Sequence, residues 1–128
     1  MIVDCSAVLA ILFGEPDARR HAGAIMAASP CRMSVANVLE ASIVVERRGG
    51  DTAAHELDTL LQSAEIELVP VTVAHLEAAR HAWRRFGKGN HPAALNFGDC
   101  FAYALARATG EPLLFKGGDF AQTDIEAA

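Results

Sequence analysis

A chain of 128 residues that is 52% hydrophobic and 21% charged has the make-up of a folded globular protein, and its length suits one domain, residues 1–128, with no room for a second. Its formal net charge of −5 excludes a protein that holds nucleic acid by bulk attraction, although a local basic patch can still serve an acidic surface. No stretch reaches the ~20 apolar residues of a membrane helix and the apolar start carries no positively charged leader, so the chain is placed in the cytoplasm.

The opening MIV reads as a buried strand, Met1 to Val3, and Ala7 to Phe13 as an apolar helix, with Asp4 out of place between them. A helix from Asp17 to Ala28 and a strand from Cys31 to Met33 come next. Ser34 caps a helix from Val35 to Arg48, which Gly49 and Gly50 close, and Asp51 can cap another from Thr52 to Ala64. A strand from Ile66 to Val71, a helix from Val73 to Phe86 and the irregular stretch GKGNHPAALN lead to a helix from Asp99 to Ala108 and a last strand, Leu113 to Phe115. Strands alternating with helices predict an α/β sandwich whose mostly parallel sheet is covered on both faces.

In such sheets ligands gather outside the carboxyl ends of the strands. Asp4 leaves the first strand, Asp119 follows the last in FKGGDF, Asp99 opens a helix in LNFGDCFAYALA, and Glu40 lies about a turn and a half inside the helix SVANVLEASIVVE. Singly, each has a plainer role: the aspartates are common helix caps or turn residues, and Glu40, on the side of Asn37 and Arg47, suits a solvated face. Together they repel one another, by roughly 4 kcal/mol for two charges about 4 Å apart, so either their pKa values rise or a cation sits among them. Carboxylates without His or Cys partners favour Mg²⁺ or Mn²⁺, and such an ion suits phosphoryl chemistry.

The chain resembles the PIN-domain ribonucleases, and within them the VapC toxins of bacterial toxin-antitoxin pairs. MIVDCSAVLAILFGEPDA, the helix carrying Glu40, FGDCFAYALA and PLLFKGGDFAQTDI carry the likeness, in order, over essentially the whole chain. The resemblance implies a PIN-like three-layer sandwich and a Mg²⁺- or Mn²⁺-dependent endoribonuclease that leaves 5′-phosphate and 3′-hydroxyl ends. It places Asp4 and Asp99 at metal-ligand positions, Glu40 at the helix glutamate, Asp119 at an acid of the final loop, and Ser6 at the small hydroxyl supporting the first aspartate. It also implies a VapB-type antitoxin and a toxin homodimer. Two departures stand out: Cys5 where members usually carry threonine, and Gly117 where many carry an acid.

The segment RHAWRRFGKGNH concentrates Arg80, Arg84, Arg85 and Lys88 without an acid, so Arg84, Arg85 and Lys88 are candidate RNA contacts, while Trp83 and Phe86 suit core packing. Cys5, Cys31 and Cys100 show no CxxC spacing and read as buried apolar fillers; the five histidines read as surface or loop residues, with His91 a candidate phosphate contact. The apolar helix Ala7 to Phe13, with Ile25, Met26, Leu57 and Leu61, offers core or, where exposed, a surface for the antitoxin. Two other functions fit an acid-bearing α/β chain: a phosphoacceptor receiver domain using Lys116, for which IELVPVT supplies no acceptor aspartate, and a metal-free interaction module whose acids are only caps.

Overall fold

The structure, a computed structural model, describes residues 1–128. Four strands, β1 (Ile2–Val3), β2 (Arg32–Ser34), β3 (Glu67–Val69) and β4 (Leu113–Leu114), form one sheet in the order β3-β2-β1-β4, with every pairing parallel. Between them run α1 (Cys5–Leu12), α2 (Ala18–Ala27), α3 (Val35–Ser63), α4 (Val73–Phe86) and α5 (Phe97–Thr109). The expected α/β sandwich with a parallel central sheet is the fold observed.

The alternation of side chains along a strand divides the core. Ile2 and Leu113 turn to the face covered by α4 and α5, where they meet Phe86, Leu95, Tyr103 and Leu105. Their neighbours Val3 and Leu114 turn to the opposite face, against Val8, Ile25, Met33, Val45 and Leu57. Because β1 is buried on both faces, its two residues are uniformly apolar, and Asp4 is the first position at which the chain leaves the sheet.

The chain walks from β1 through β2 to β3, then returns to place β4 on the other side of β1. That reversal leaves a crevice between the carboxyl ends of β1 and β4, where open parallel sheets bind ligands. At the opposite edge the charges are paired: Arg32 reaches both Glu67, at 2.8 Å, and Glu111.

Several expectations change at this level. The break expected at Gly49 and Gly50 is kept, as a kink at Gly50 that parts two helical arms of α3, its φ of 61° and ψ of −151° being barred to other residues; the differences lie elsewhere. The cap of α5 is Asn96, and Asp99 sits one turn inside it. His21 is fully buried, 3.1 Å from Asp17, because α2 lays it against the sheet's helical layer and not toward solvent. His91 is also structural: its Nδ1 accepts the Ala93 N–H and its ring stands edge-on to Phe86. Of the surface proposed around α1, Ile25, Leu57 and Leu61 are core and only Met26 is largely exposed.

Candidate active site

The site forms where β1 ends. Asp4 caps α1 with one carboxylate oxygen: Oδ2 accepts the Ser6 backbone N–H at 2.9 Å and the Ser6 hydroxyl at 2.6 Å. Its other oxygen, Oδ1, is buried without a partner. Burial pushes the Asp4 pKa up, the Ser6 bonds oppose this, and the charge of Asp119 adds to it. A capping role accounts for Oδ2 and leaves Oδ1 unexplained, so the plain reading of Asp4 covers only half of its carboxylate.

Asp99 repeats the arrangement on α5. Its Oδ2 accepts the Asn96 N–H at 2.8 Å while Asn96 Oδ1 accepts the Asp99 N–H at 2.9 Å, a reciprocal capping box. Burial raises the Asp99 pKa to about 7 against the Asn96 bond, with Asp4, Glu40 and Asp119 all adding to the rise.

Glu40 arrives from the second turn of α3 and is half-buried. Its carboxylate occupies the space left by the missing side chain of Gly98: a Cβ there would stand 2.1 Å from Oε2. Asn37 Nδ2 donates to the same Oε2 at 3.3 Å. Burial raises the Glu40 pKa and the charge of Asp4 raises it further. Beside it, burial and then the charges of Glu40 and Asp4 push the Cys5 thiol far up, so the thiol stays protonated and available as a donor to Glu40. Cys5 thus keeps a donor where a threonine hydroxyl is usual.

Asp119 is exposed in the loop after β4 and starts the short 3-10 turn Phe120–Gln122 without a side-chain capping bond. Gly117, two residues earlier, has φ +94°, a conformation that disfavours an acid at that position. Lys116 is turned to Glu15, so it does not neutralise the acids.

The structure therefore brings Asp4, Glu40 and Asp119 each within electrostatic reach of Asp99 at one sheet edge, with Asp4 also felt by Glu40. It does not pack any three of them into a cluster that encloses an ion alone. A hard divalent cation keeps several waters and needs only one or two carboxylates. The observation that favours such an ion is Asp4 Oδ1, a buried carboxylate oxygen with no protein donor.

Of the basic candidates, Arg84 and Lys88 line a groove of about 510 Å³ between α4 and α5, with Trp83, Asn96 and Phe97. Arg85 turns the other way, to Asp124 at 3.0 Å, with its guanidinium over Phe86. Phe86 packs inward as expected, whereas Trp83 is 44% exposed. Sequence reasoning passed over Asn37, Gly98 and Phe97. Only the adjacency of Gly98 and Phe97 to Asp99 was there to signal the last two.

The PIN domain model matches residues 1–126. Over 128 residues the chain is 52% identical to a ribonuclease VapC of Mycolicibacterium smegmatis, covering 99% of this chain and 98% of that one. The chain belongs to the PIN-domain family, among the VapC ribonucleases. Ribonuclease VapC30 of Mycobacterium tuberculosis is 49% identical over 125 residues, covering 98% of this chain and 95% of that one. Among solved structures, the M. tuberculosis toxin VapC20, described as cleaving the sarcin-ricin loop, superposes with a TM-score of 0.81 at 20% identity, covering 99% of this chain and 97% of that one. A toxin-antitoxin complex from Klebsiella pneumoniae gives a TM-score of 0.71 at 15% identity, over 96% and 92% of the two chains. The two structural likenesses bear on the fold alone.

Family membership removes the receiver alternative, and the topology agrees: β3 is an edge strand that runs from Val69 into Pro70 with no acceptor acid. It also removes the inert module. No helix is long and apolar enough to cross a membrane.

Proposed function

We propose that the edge formed by Asp4, Glu40, Asp99 and Asp119 is the active site of this VapC ribonuclease, hydrolysing RNA phosphodiesters with Mg²⁺ or Mn²⁺. The observation that carries the reading is the unpartnered, buried Asp4 Oδ1 beside three further acids without a neutralising cation. Asp4 and Asp99 are the residues that would hold the ion, each with one oxygen already fixed by a cap and the other left over. When bound, the ion screens the phosphodiester charge and stabilises the developing negative charge on phosphoryl oxygen.

The protein's own groups do the rest. Glu40, made more basic by burial and by the charge of Asp4, accepts a proton from the attacking water. Water oxygen bonds to phosphorus, the bond to the 3′-oxygen breaks, and that oxygen leaves as a hydroxyl after taking a proton from solvent. The 5′-phosphate remains on the other fragment. Asp119, exposed at the mouth, completes the acidic rim.

The RNA strand is assigned to the α4–α5 groove. Arg84 and Lys88 supply phosphate contacts there in an otherwise acidic protein, and exposed Trp83 and Phe97 offer faces on which bases stack. Val35, Leu39 and Ile43 are exposed on α3 beside Glu40, and with Phe97 they form an apolar border to the site. A VapB-type antitoxin laid along this border would close the entrance, and the inhibitor is proposed here in preference to α1. The toxin is expected to act in the cytoplasm as a homodimer, a state that light scattering measures directly.

The test is cleavage of total RNA with end mapping. Asp4→Asn and Asp99→Asn should fold and fail to cut, and the parent should stop cutting when divalent ions are chelated. Asp4→Asn cutting at the parental rate would refute the assignment.

A further inference from the structure

Asn37 is fully buried, yet only one end of its amide is used. Its Nδ2 donates to the Gly98 carbonyl at 2.9 Å and to Glu40 Oε2 at 3.3 Å, while Oδ1 is buried with no partner. Both contacts of Nδ2 are acceptors, so the amide cannot be flipped without losing both. A buried amide with an orphaned oxygen carries a cost that an apolar side chain avoids. Whatever the amide gains for the fold comes only through these two bonds, both of which lie at the acidic edge.

What the side chain does is join two elements at the site. It ties α3 to the first turn of α5 at Gly98, the residue preceding Asp99, and steadies Glu40 in the gap that Gly98 leaves. A neutral donor is the chemistry this requires. Lysine or arginine would pair with Glu40 and discharge the acidic edge, whereas an amide orients the carboxylate and leaves its charge in place.

We propose that Asn37 is a positioning residue that locks Glu40 and the α5 N-terminus into one unit, and so holds the Glu40 charge beside the ion that Asp4 and Asp99 would bind, where it strengthens that binding. The inference rests on the reading of the acidic edge as a cation site. Removing such an outer partner commonly costs 10–100-fold in metal affinity or activity.

The experiment is calorimetric titration of the purified protein with Mn²⁺ alone. Asn37→Leu keeps the number of side-chain heavy atoms and removes the donor, and should weaken Mn²⁺ binding by the folded protein about 10–100-fold. Gly98→Ala displaces Glu40 from the other side and should give a loss of the same order, which keeps the test open if the leucine variant does not fold. Residues acting through one another are non-additive, so in a Glu40→Ala background Asn37→Leu should change the Mn²⁺ affinity by less than about twofold. Parental affinity in both single variants, or an undiminished effect of Asn37→Leu on Glu40→Ala, overturns the proposal. Asp99→Asn, run alongside, separates the two layers of the argument. If it abolishes binding while Asn37→Leu and Gly98→Ala do not, the cation site stands and the role of Asn37 falls; if it binds Mn²⁺ like the parent, the site reading itself fails.

Discussion

The Ser6 hydroxyl donates to Asp4 Oδ2 at 2.6 Å and accepts the Lys116 N–H at 2.9 Å, joining the end of β1 to the loop that follows β4. One side chain thereby orients the first acid and fixes the start of the segment leading to Asp119.

Ser6→Ala should accordingly do two things. It deprives Asp4 of a hydrogen bond that favours its charged form and removes the acceptor of the exposed Lys116 N–H, at a cost of about 0.5–1.5 kcal/mol in unfolding free energy. Asp4 should then ionise less readily, so Mn²⁺ binding at neutral pH weakens. Ser6→Thr restores the hydroxyl and should recover both. Chemical denaturation and Mn²⁺ calorimetry on the two variants check this; an alanine variant with parental stability and affinity would show that the bridge is incidental.

Asp99 predicts a pH dependence of unusual sign for a carboxylate. Burial, opposed by the Asn96 N–H and reinforced by Asp4, Glu40 and Asp119, lifts its pKa from 3.8 to about 7. The folded state therefore holds the proton more tightly than the unfolded chain. Its contribution to stability is complete below the unfolded value and is lost as pH rises through the folded one. Glu40 and Asp4 are shifted in the same direction. Without divalent ions the protein should be more stable near pH 5 than near pH 8, and saturating Mn²⁺ should reverse the trend because a cation favours the ionised acids. Asp99→Asn should flatten the ion-free curve. Thermal melts across pH, with and without Mn²⁺, provide the measurement.

Gly50 is the hinge of α3. Its φ of 61° and ψ of −151° lie in a region that only glycine occupies without strain. Gly50→Ala should cost about 1–3 kcal/mol through backbone strain, and Gly49→Ala, whose Cβ would stand 2.6 Å from the Ala53 methyl, should destabilise through overpacking. Urea midpoints of both variants should fall while RNA cleavage per folded molecule stays the same, since the hinge lies well along α3 from Glu40.

Much of this was legible in the residues because strand burial and helix capping are local. A two-residue strand covered on both faces has to be apolar, so Asp4 announced itself as the point of exit. Asp99 was legible for the same reason, though the cap itself fell to Asn96, whose short amide reaches the Asp99 N–H just as well. Asn37 was not legible. It lies on the Glu40 side of α3, and whether that side meets water or another helix is decided by α5, more than sixty residues further along, crossing at Gly98. The exposure of Phe97 and the burial of His21 were hidden by the same non-local choice of faces.

The basic residues at the end of α4 separate by partner, and that separation is measurable. Arg84 and Lys88 line the α4–α5 groove, while Arg85 is paired with Asp124, which also accepts the Tyr103 hydroxyl at 2.8 Å. Binding of single-stranded RNA loses affinity with salt at a slope of about 0.7 per phosphate contact. Arg84→Ala and Lys88→Ala should each weaken binding of an uncleavable RNA to the Asp4→Asn protein and reduce the salt slope by about 0.7, with the double variant close to the sum. Arg85→Ala should leave the slope unchanged and appear instead as a stability loss of under about 1 kcal/mol, the usual scale of an exposed ion pair. Should Arg85→Ala alter the slope as much as Arg84→Ala, the RNA does not follow the groove, and the strand must instead cross the face that carries Asp124.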